Sequence, residues 1–468
     1  MSFFKAYDMR GTFGVDFDLE TVYKVGKALP QVVKGRRWLV GRDCRVTSKD
    51  VRDALVKGLA ESGAEVTDLG LCTTPMVYFF TAEEDFDGSV MITASHNPPS
   101  DNGLKVSMRT ALPVGYANGL NEVERIVNAS QEGAKWAEKP FTNLQAVSGT
   151  KTSALKVYGD WMRSHSPLPV PCSLHYAVDC SNGMSSILVH ELFPEAIVIN
   201  DTLDGTFPNH SPNPLKAEAR EQVAALVREK GLDCGVVFDG DADRCMFVDE
   251  RGEFVQPDYL IPVVARATLG RKEDVRRKTE DLSLTSKVSS PRIIHDVRTS
   301  RGAIEELRRM GCEPVMVPVG HAFAKPILRE VGAVCGGELA GHYYFGEFHG
   351  CDSGVLAAVR ILGEIARAKT AGKSFSEMMR PITGAYANSG ELNFKVEDKD
   401  AAIARVLAAA RETLPQEVSR SEIDGIRVEY AEGWINIRKS NTEPYLRLIV
   451  ERKEKVTEWT DILARAIG

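Results

Sequence analysis

Within TASHNPPSDNGLK (93–105) a serine, a histidine and a lysine fall close together. Ser95 precedes His96, Pro98 and Pro99 stiffen the loop, and Lys105 is a short reach away. A serine held at a strand end can take up and return a phosphoryl group, given a cation and a separate grip on the substrate. DGDADR (239–244) offers the cation site. CGVVF precedes it and CMFVD follows, so it reads as a near-extended loop between two buried strands. Alternate carboxylates then project to one side, and Asp239, Asp241 and Asp243 converge on one ion. An all-oxygen donor set with open positions suits Mg²⁺. A merely solvated acidic turn fits poorly, because three acids crowded between apolar strands repel one another unless a cation offsets them. The EF-hand alternative fails as well: Glu250 stands at the twelfth place, but Arg244 occupies the position that needs glycine.

Further motifs are weaker one by one. RKSNTEP (438–444) gathers Arg438, Ser440, Asn441 and Thr442, and such a turn can hold a phosphate through a guanidinium and backbone N–H groups. A plain polar hairpin turn would look the same. GGELAGH (336–342) offers Glu338 as an acceptor for neighbouring sugar hydroxyls, beside glycines that admit a close ligand. In isolation a glycine-rich connection explains it better. His321 follows the apolar 315–317 with Lys325 nearby, and Tyr7 and Arg10 lie in KAYDMRG. A lone histidine is more often structural than catalytic, and a lone arginine usually marks a surface. Together these motifs exceed what hydrolysis requires. Two phosphate-handling centres suggest that phosphate moves between the ends of one sugar.

The elements that must position these groups form a loose threefold repeat. Short strands at 38–40, 176–178 and 292–294 each lead into a polar turn (GRDCR, DCSNG, HDVRTS). Helices follow at 49–62, 185–192 and 302–310, then a second strand and a third. The third strands end in TASHNP after Ile92, DGDADR after Phe238 and GGELAGH after Cys335. GSVMI (88–92) thus puts Ser95 at the carboxyl end of a strand, where open α/β sheets collect ligands. Strands alternating with helices predict three α/β units with mixed, mostly parallel sheets. A helix at 154–165 leads into proline-rich SPLPVPC (166–172), a hinge; 249–257 is a second junction, and the charged run 271–290 reads as a solvated helix and loop. Past about 372 a helix (398–414), strands at 426–430, 434–438 and 445–451, and a helix at 456–467 form a small α+β domain. The expected divisions are 1–150, 151–255, 256–373 and 374–468.

With 468 residues the chain exceeds a single core. A net charge of −7 gives no footing for nucleic acid, and no apolar run reaches membrane-span length. Nine cysteines without a C-x-x-C pair read as reduced, mostly buried thiols. The start lacks a secretory h-region, so a cytoplasmic protein is expected.

KAYDMRG, TASHNP, DGDADR, GELAGH and SNTEP, in this order, resemble the α-D-phosphohexomutase family over nearly the whole chain. The resemblance implies three α/β domains and a smaller fourth around a central cleft, and a phosphomannomutase that also accepts glucose phosphates. Phosphoglucomutase and phosphoglucosamine mutase are the alternatives within the family. A Mg²⁺-dependent phosphoserine phosphatase and a non-catalytic sugar-phosphate binder are the alternatives outside it. By position, Ser95 matches the phosphoserine, which also offers an oxygen to the metal, and Asp239, Asp241 and Asp243 match the Mg²⁺ ligands. Glu338 matches the sugar contact, and Arg438, Ser440, Asn441 and Thr442 match the phosphate clamp. Arg10, His96, Lys105, Arg244 and His321 match polar groups near the transferred phosphoryl, with Lys105 and His321 the candidates for acid–base work. A hexose phosphate substrate, a hexose 1,6-bisphosphate activator and a monomer or homodimer are likewise implied. Ala340 departs from the serine often found in the family's sugar loop, and GELAGH differs from the GEQSGH form that resembles phosphoglucosamine mutases.

Overall fold

A computed structural model describes residues 3–130, 145–146, 151–165, 174–279, 290–440 and 445–468. The chain divides into two units: Met1–Val255 with Ala340–Phe375, and Gln256–Leu339 with Ser376–Gly468. In the first, strand Arg37–Arg42 lies between Glu65–Leu71 and Gly88–Ile92, parallel to both, and Gly88–Ile92 pairs antiparallel with Asp101–Met108. The pattern recurs. Tyr176–Asp179 lies between Ile197–Ile199 and Cys234–Phe238, and the latter pairs antiparallel with Cys245–Val248. In the second unit Arg292–Asp296 lies between Glu313–Val317 and Cys335–Gly337, again parallel to both. The expected threefold repeat is therefore present, and Ser95, Asp239 and Glu338 each follow the third strand of one copy.

Apolar periodicity explains the helices that cover these sheets. Ser48–Glu61 buries Val51, Leu55 and Leu59, one turn apart, on a core that includes Trp38, Val90 and Leu104. Truncating Leu55 to alanine there should cost about 2–5 kcal/mol. The carboxyl-terminal portion is an antiparallel sheet whose central strands are Ile426–Tyr430, Gly433–Lys439 and Leu446–Arg452. Helices Lys399–Thr413 and Val456–Ile467 share its core through Val406 and Leu463. Asp398 caps the first by accepting from Ala401 N at 2.9 Å.

Three local expectations need correction. The helix expected at 185–192 is a 3₁₀ turn, Met184–Ile187, and a single α turn, Val189–Leu192. Ser186 Oγ bonds Gly183 O at 2.7 Å in competition with the backbone, and Pro194 disfavours helical geometry at Phe193. The 93–105 segment is not loop throughout, because Asp101–Met108 is a strand with Leu104 and Val106 in the core. DGDADR is a tight reversal and not a near-extended loop. Its flanking strands pair Phe238 with Cys245, and Ala242 turns the chain in the left-handed region at φ 61°. The hinge at 166–172 and residues 280–289 of the charged run lie outside the described residues, while 271–279 continue helix Ile261–Thr279. All cysteines among the described residues are free, and no described helix is long and apolar enough to cross a membrane.

Candidate active site

Ser95 sits at φ 52°, a twist that is unusual for a residue with a Cβ. Thr93 Oγ1 accepts from its N–H at 2.8 Å. Its hydroxyl donates to Asp239 Oδ2 at 2.9 Å and lies 3.2 Å from His96 Nδ1. A Cβ on Gly240 would stand 2.5 Å from Ser95 O, so only glycine lets the carboxylate turn approach the serine this closely. Ser95 and all three aspartates are buried.

Asp239, Asp241 and Asp243 bring one oxygen each to within 4.8 Å of one another. Burial, with Asp243 and Asp241 adding repulsion, pushes Asp239 up to about 7. Burial acts upward most strongly on Asp241 and Asp243, but Lys105, joined by Thr74 at Asp241 and by His342 and Arg244 at Asp243, holds both below the ordinary carboxylate range. The Lys105 ammonium is 2.7 Å from Asp241 Oδ2 and 2.6 Å from Asp243 Oδ2. Burial alone would lower its pKa, yet these two anions raise it above the usual lysine value. Thr74 Oγ1 donates to Asp241 Oδ2 at 2.5 Å. Asp241 Oδ1 and Asp243 Oδ1 are buried without a hydrogen-bond partner among the described residues. Orphaned carboxylate oxygens are costly, and with Ser95 Oγ alongside they form an all-oxygen set that fits a hard divalent cation.

Cations surround the serine. Arg244 Nε donates to Asp239 Oδ2 at 2.9 Å, while its Nη2 is buried and unpartnered among the described residues. Arg10 donates to Asn97 Oδ1 at 3.1 Å and to Asp8 Oδ2 at 2.6 Å. Desolvation first, then Arg244 and Arg10, pull His96 well below the ordinary imidazole range, so it is neutral at pH 7 although its ring keeps some exposure. His342 adds a side chain not singled out from sequence. Its Nδ1 lies 2.7 Å from Asp352 Oδ2 and 3.8 Å from Asp243 Oδ1.

The second unit holds the remaining expected residues. Glu338 is buried after strand Cys335–Gly337, 3.8 Å from Arg298 Nη2. Arg438 is buried on strand Gly433–Lys439 and donates to Glu391 Oε1 at 3.1 Å. Arg447 reaches Glu391 Oε2 at 3.0 Å, and Arg298 Nη1 lies 3.6 Å from Oε1. The Glu391 carboxylate is thus shared among three guanidinium groups. Ser440 ends the strand, its N–H bonding Tyr445 O at 2.9 Å, and His321 opens helix His321–Glu330. Asn441 and Thr442 lie outside the described residues.

Arg298, Glu391, Arg447, Thr74 and His342 escaped the sequence reading. One signal was present: the three polar turns share Asp-x-Arg or Asp-x-Ser. Asp43, Asp179 and Asp296 accept from the backbone N–H two residues on, at 3.0, 2.8 and 2.7 Å.

A serine hydroxyl set against a carboxylate trio, with buried cations close by, has the charge arrangement that phosphoryl transfer requires. The four phosphoglucomutase/phosphomannomutase domain profiles match residues 1–134, 171–252, 257–386 and 391–466. A phosphomannomutase of Salmonella montevideo is 34% identical over 459 residues, 96% of this chain and 94% of that protein. The phosphohexose mutases of Xanthomonas campestris pv. campestris are 34% identical over 454 residues, 96% of this chain and 95% of theirs. A phosphoglucomutase/phosphomannomutase family protein of Burkholderia thailandensis has a TM-score of 0.82 at 28% identity, covering 99% of this chain and 96% of that one. The chain belongs to the phosphoglucomutase/phosphomannomutase family, the α-D-phosphohexomutases. It is accordingly an isomerase that relocates a phosphoryl group.

Proposed function

We propose that the protein is a phosphomannomutase that interconverts mannose 6-phosphate and mannose 1-phosphate and also accepts glucose phosphates. The supporting observation is the Ser95 hydroxyl bonded to Asp239 inside the carboxylate trio. Mg²⁺ held by Asp239, Asp241, Asp243 and Ser95 would supply electrostatic stabilisation of the transferred phosphoryl group. The free hydroxyl of the hexose monophosphate attacks the phosphorus of phosphorylated Ser95, the P–Oγ bond breaks, and a hexose 1,6-bisphosphate forms. Attack of Ser95 Oγ on the other phosphate then regenerates phosphoserine and releases the isomeric monophosphate. Arg10 and Arg244 hold equatorial phosphoryl oxygens, and His96 remains a neutral hydrogen-bonding group beside Oγ. Lys105 and His321 are the acid–base candidates for the exchange between Oγ and the sugar hydroxyl, with Lys105 confined to donating because Asp241 and Asp243 hold its proton. Glu338 reads sugar hydroxyls, and Arg438, Ser440, Asn441 and Thr442 grip the phosphate that is not being transferred.

The same reading keeps divisions at 150, 255 and 373, a hexose 1,6-bisphosphate activator and a cytoplasmic setting. Mass analysis of the purified chain after incubation with a hexose 1,6-bisphosphate should place one phosphate on Ser95. Coupled assays should show mannose 1-phosphate turning over without release of inorganic phosphate. Stoichiometric phosphate release would replace the mutase with a phosphatase.

A further inference from the structure

We infer that Arg45 is a positioning residue that holds the loop bearing Ser95 in its reactive shape. The inference rests on Ser95 being the phosphoryl carrier. Arg45 comes from the GRDCR turn, and its side chain is fully buried. Nη1 donates to Pro98 O at 2.6 Å and Asp101 O at 2.9 Å, and Nη2 donates to Ser95 O at 2.9 Å and Asn97 O at 2.7 Å. One guanidinium thus collects four carbonyls from the arc 95–101. Nε faces Asp43 Oδ2 at 3.2 Å as an ion pair without hydrogen-bond geometry.

The physical need is specific. A left-handed serine is strained unless its surroundings over-determine it, and the aim of the hydroxyl at Asp239 depends on that twist. Buried carbonyls without donors would add to the cost. A planar group with five donors can satisfy several at once, whereas a lysine ammonium is a point donor. The guanidinium is fixed in turn: the Phe207 ring lies 5.0 Å from it, and a Cβ on Gly205 would stand 2.4 Å from Arg45 Cα. Internal repetition gives independent support. Ser181, at the equivalent turn position, donates to Phe238 O at 2.6 Å, directly before the carboxylate turn. In the third copy Asp296, of the turn that carries Arg298, accepts from Leu339 N at 3.2 Å, beside Glu338. Each copy uses the turn after its first strand to brace the functional loop after its third.

Arg45→Lys and Arg45→Ala would be compared with the wild-type protein. The readouts are turnover of mannose 1-phosphate, the rate of Ser95 phosphorylation by a hexose 1,6-bisphosphate, and Mn²⁺ affinity by electron paramagnetic resonance. A misplaced nucleophile should lower kcat and the phosphorylation rate together by about 100-fold in both variants. KM should stay within about threefold, since the phosphate clamp is not touched, and Mn²⁺ affinity should fall far less than kcat, since the three carboxylate ligands stay in place and only Ser95 shifts. Methylguanidinium in solution should restore part of the rate to Arg45→Ala and none to wild type. Near-normal kcat in either folded variant would overturn the inference, as would a loss carried mainly by KM or Mn²⁺ affinity. Failure of both variants to fold would overturn it too, by making Arg45 a requirement of folding. Absence of phosphate on wild-type Ser95 would instead sink the functional reading on which the inference stands.

Discussion

Replacing Lys105 by methionine tests the electrostatics of the carboxylate trio directly. Methionine keeps the length of the side chain but removes the ammonium, 5% exposed, that lies 2.7 and 2.6 Å from Asp241 and Asp243. Two charge-assisted hydrogen bonds vanish, and two carboxylates are left buried beside Asp239. Breaking a buried pair from one side costs about 3–5 kcal/mol, because the remaining charge is neither solvated nor paired. For the first unit of 291 residues, at about 2.1 cal/mol/K of unfolding entropy per residue, this corresponds to a fall of roughly 5–8 °C in Tm. Differential scanning calorimetry with a chelator present should show that fall in the transition of the first unit. Saturating Mg²⁺ should raise the variant's Tm more than the wild type's, since the ion no longer competes with an ammonium for the same oxygens. A chelated variant that melts within about 2 °C of wild type would refute the reasoning.

Three further outcomes follow from the same geometry. Asp239 stands at about 7 when folded against about 3.9 unfolded, so its stabilising share is present below about pH 4 and disappears as pH rises through 7. Referenced to Asp239→Asn, which cancels the opposite trend of the neutral buried His96 and His295, the chelated protein should therefore lose stability between pH 5 and 7.5 in urea titrations, and saturating Mg²⁺ should flatten the trend. A rise over that window would contradict it; Asp241 and Asp243 act in the opposite sense, but only below about pH 4. Ser95→Ala should abolish phosphate uptake and lower kcat at least 10³-fold with an unchanged circular dichroism spectrum, and near-normal turnover would remove Ser95 from the mechanism. Arg438→Ala should raise KM for hexose monophosphates about 10–100-fold while leaving the Ser95 phosphorylation level within about twofold, whereas equal loss of both would contradict two separate phosphate centres.

Much of the scaffold was readable because the pattern is local. The expected 456–467 helix coincides with Val456–Ile467, and the expected 398–414 helix is Lys399–Thr413 with Asp398 and Leu414 as its caps. Apolar spacing alone fails where a local breaker or a long-range constraint decides. The 185–192 segment has helical spacing, but Ser186 and Pro194 stop it from propagating. Convergence of the three aspartates was expected for an incomplete reason: they meet because antiparallel pairing folds the turn back, with Ala242 in the left-handed region. Glu391, Arg298 and Arg447 were invisible because a carboxylate among guanidinium groups distant in sequence is a property of packing. Arg45 lies in GRDCR, a polar turn whose residue types alone point to no chemistry. A D-x-R triplet does not reveal that its guanidinium gathers four carbonyls some fifty residues away.

The return of Ala340–Phe375 to the first unit bears on how this chain is made. Helix Gly354–Thr370, buried along almost its whole first three turns, belongs to a body whose other parts end at Val255. During synthesis that body waits, with an apolar seat uncovered, until all of Gln256–Leu339 has left the ribosome. The first sheet's core, built wholly from residues 3–127, can form early, but the seat of this helix closes only after Gln256–Leu339 has been made. A nascent chain arrested before residue 354 should bind chaperones and be cut by protease well inside its first 255 residues.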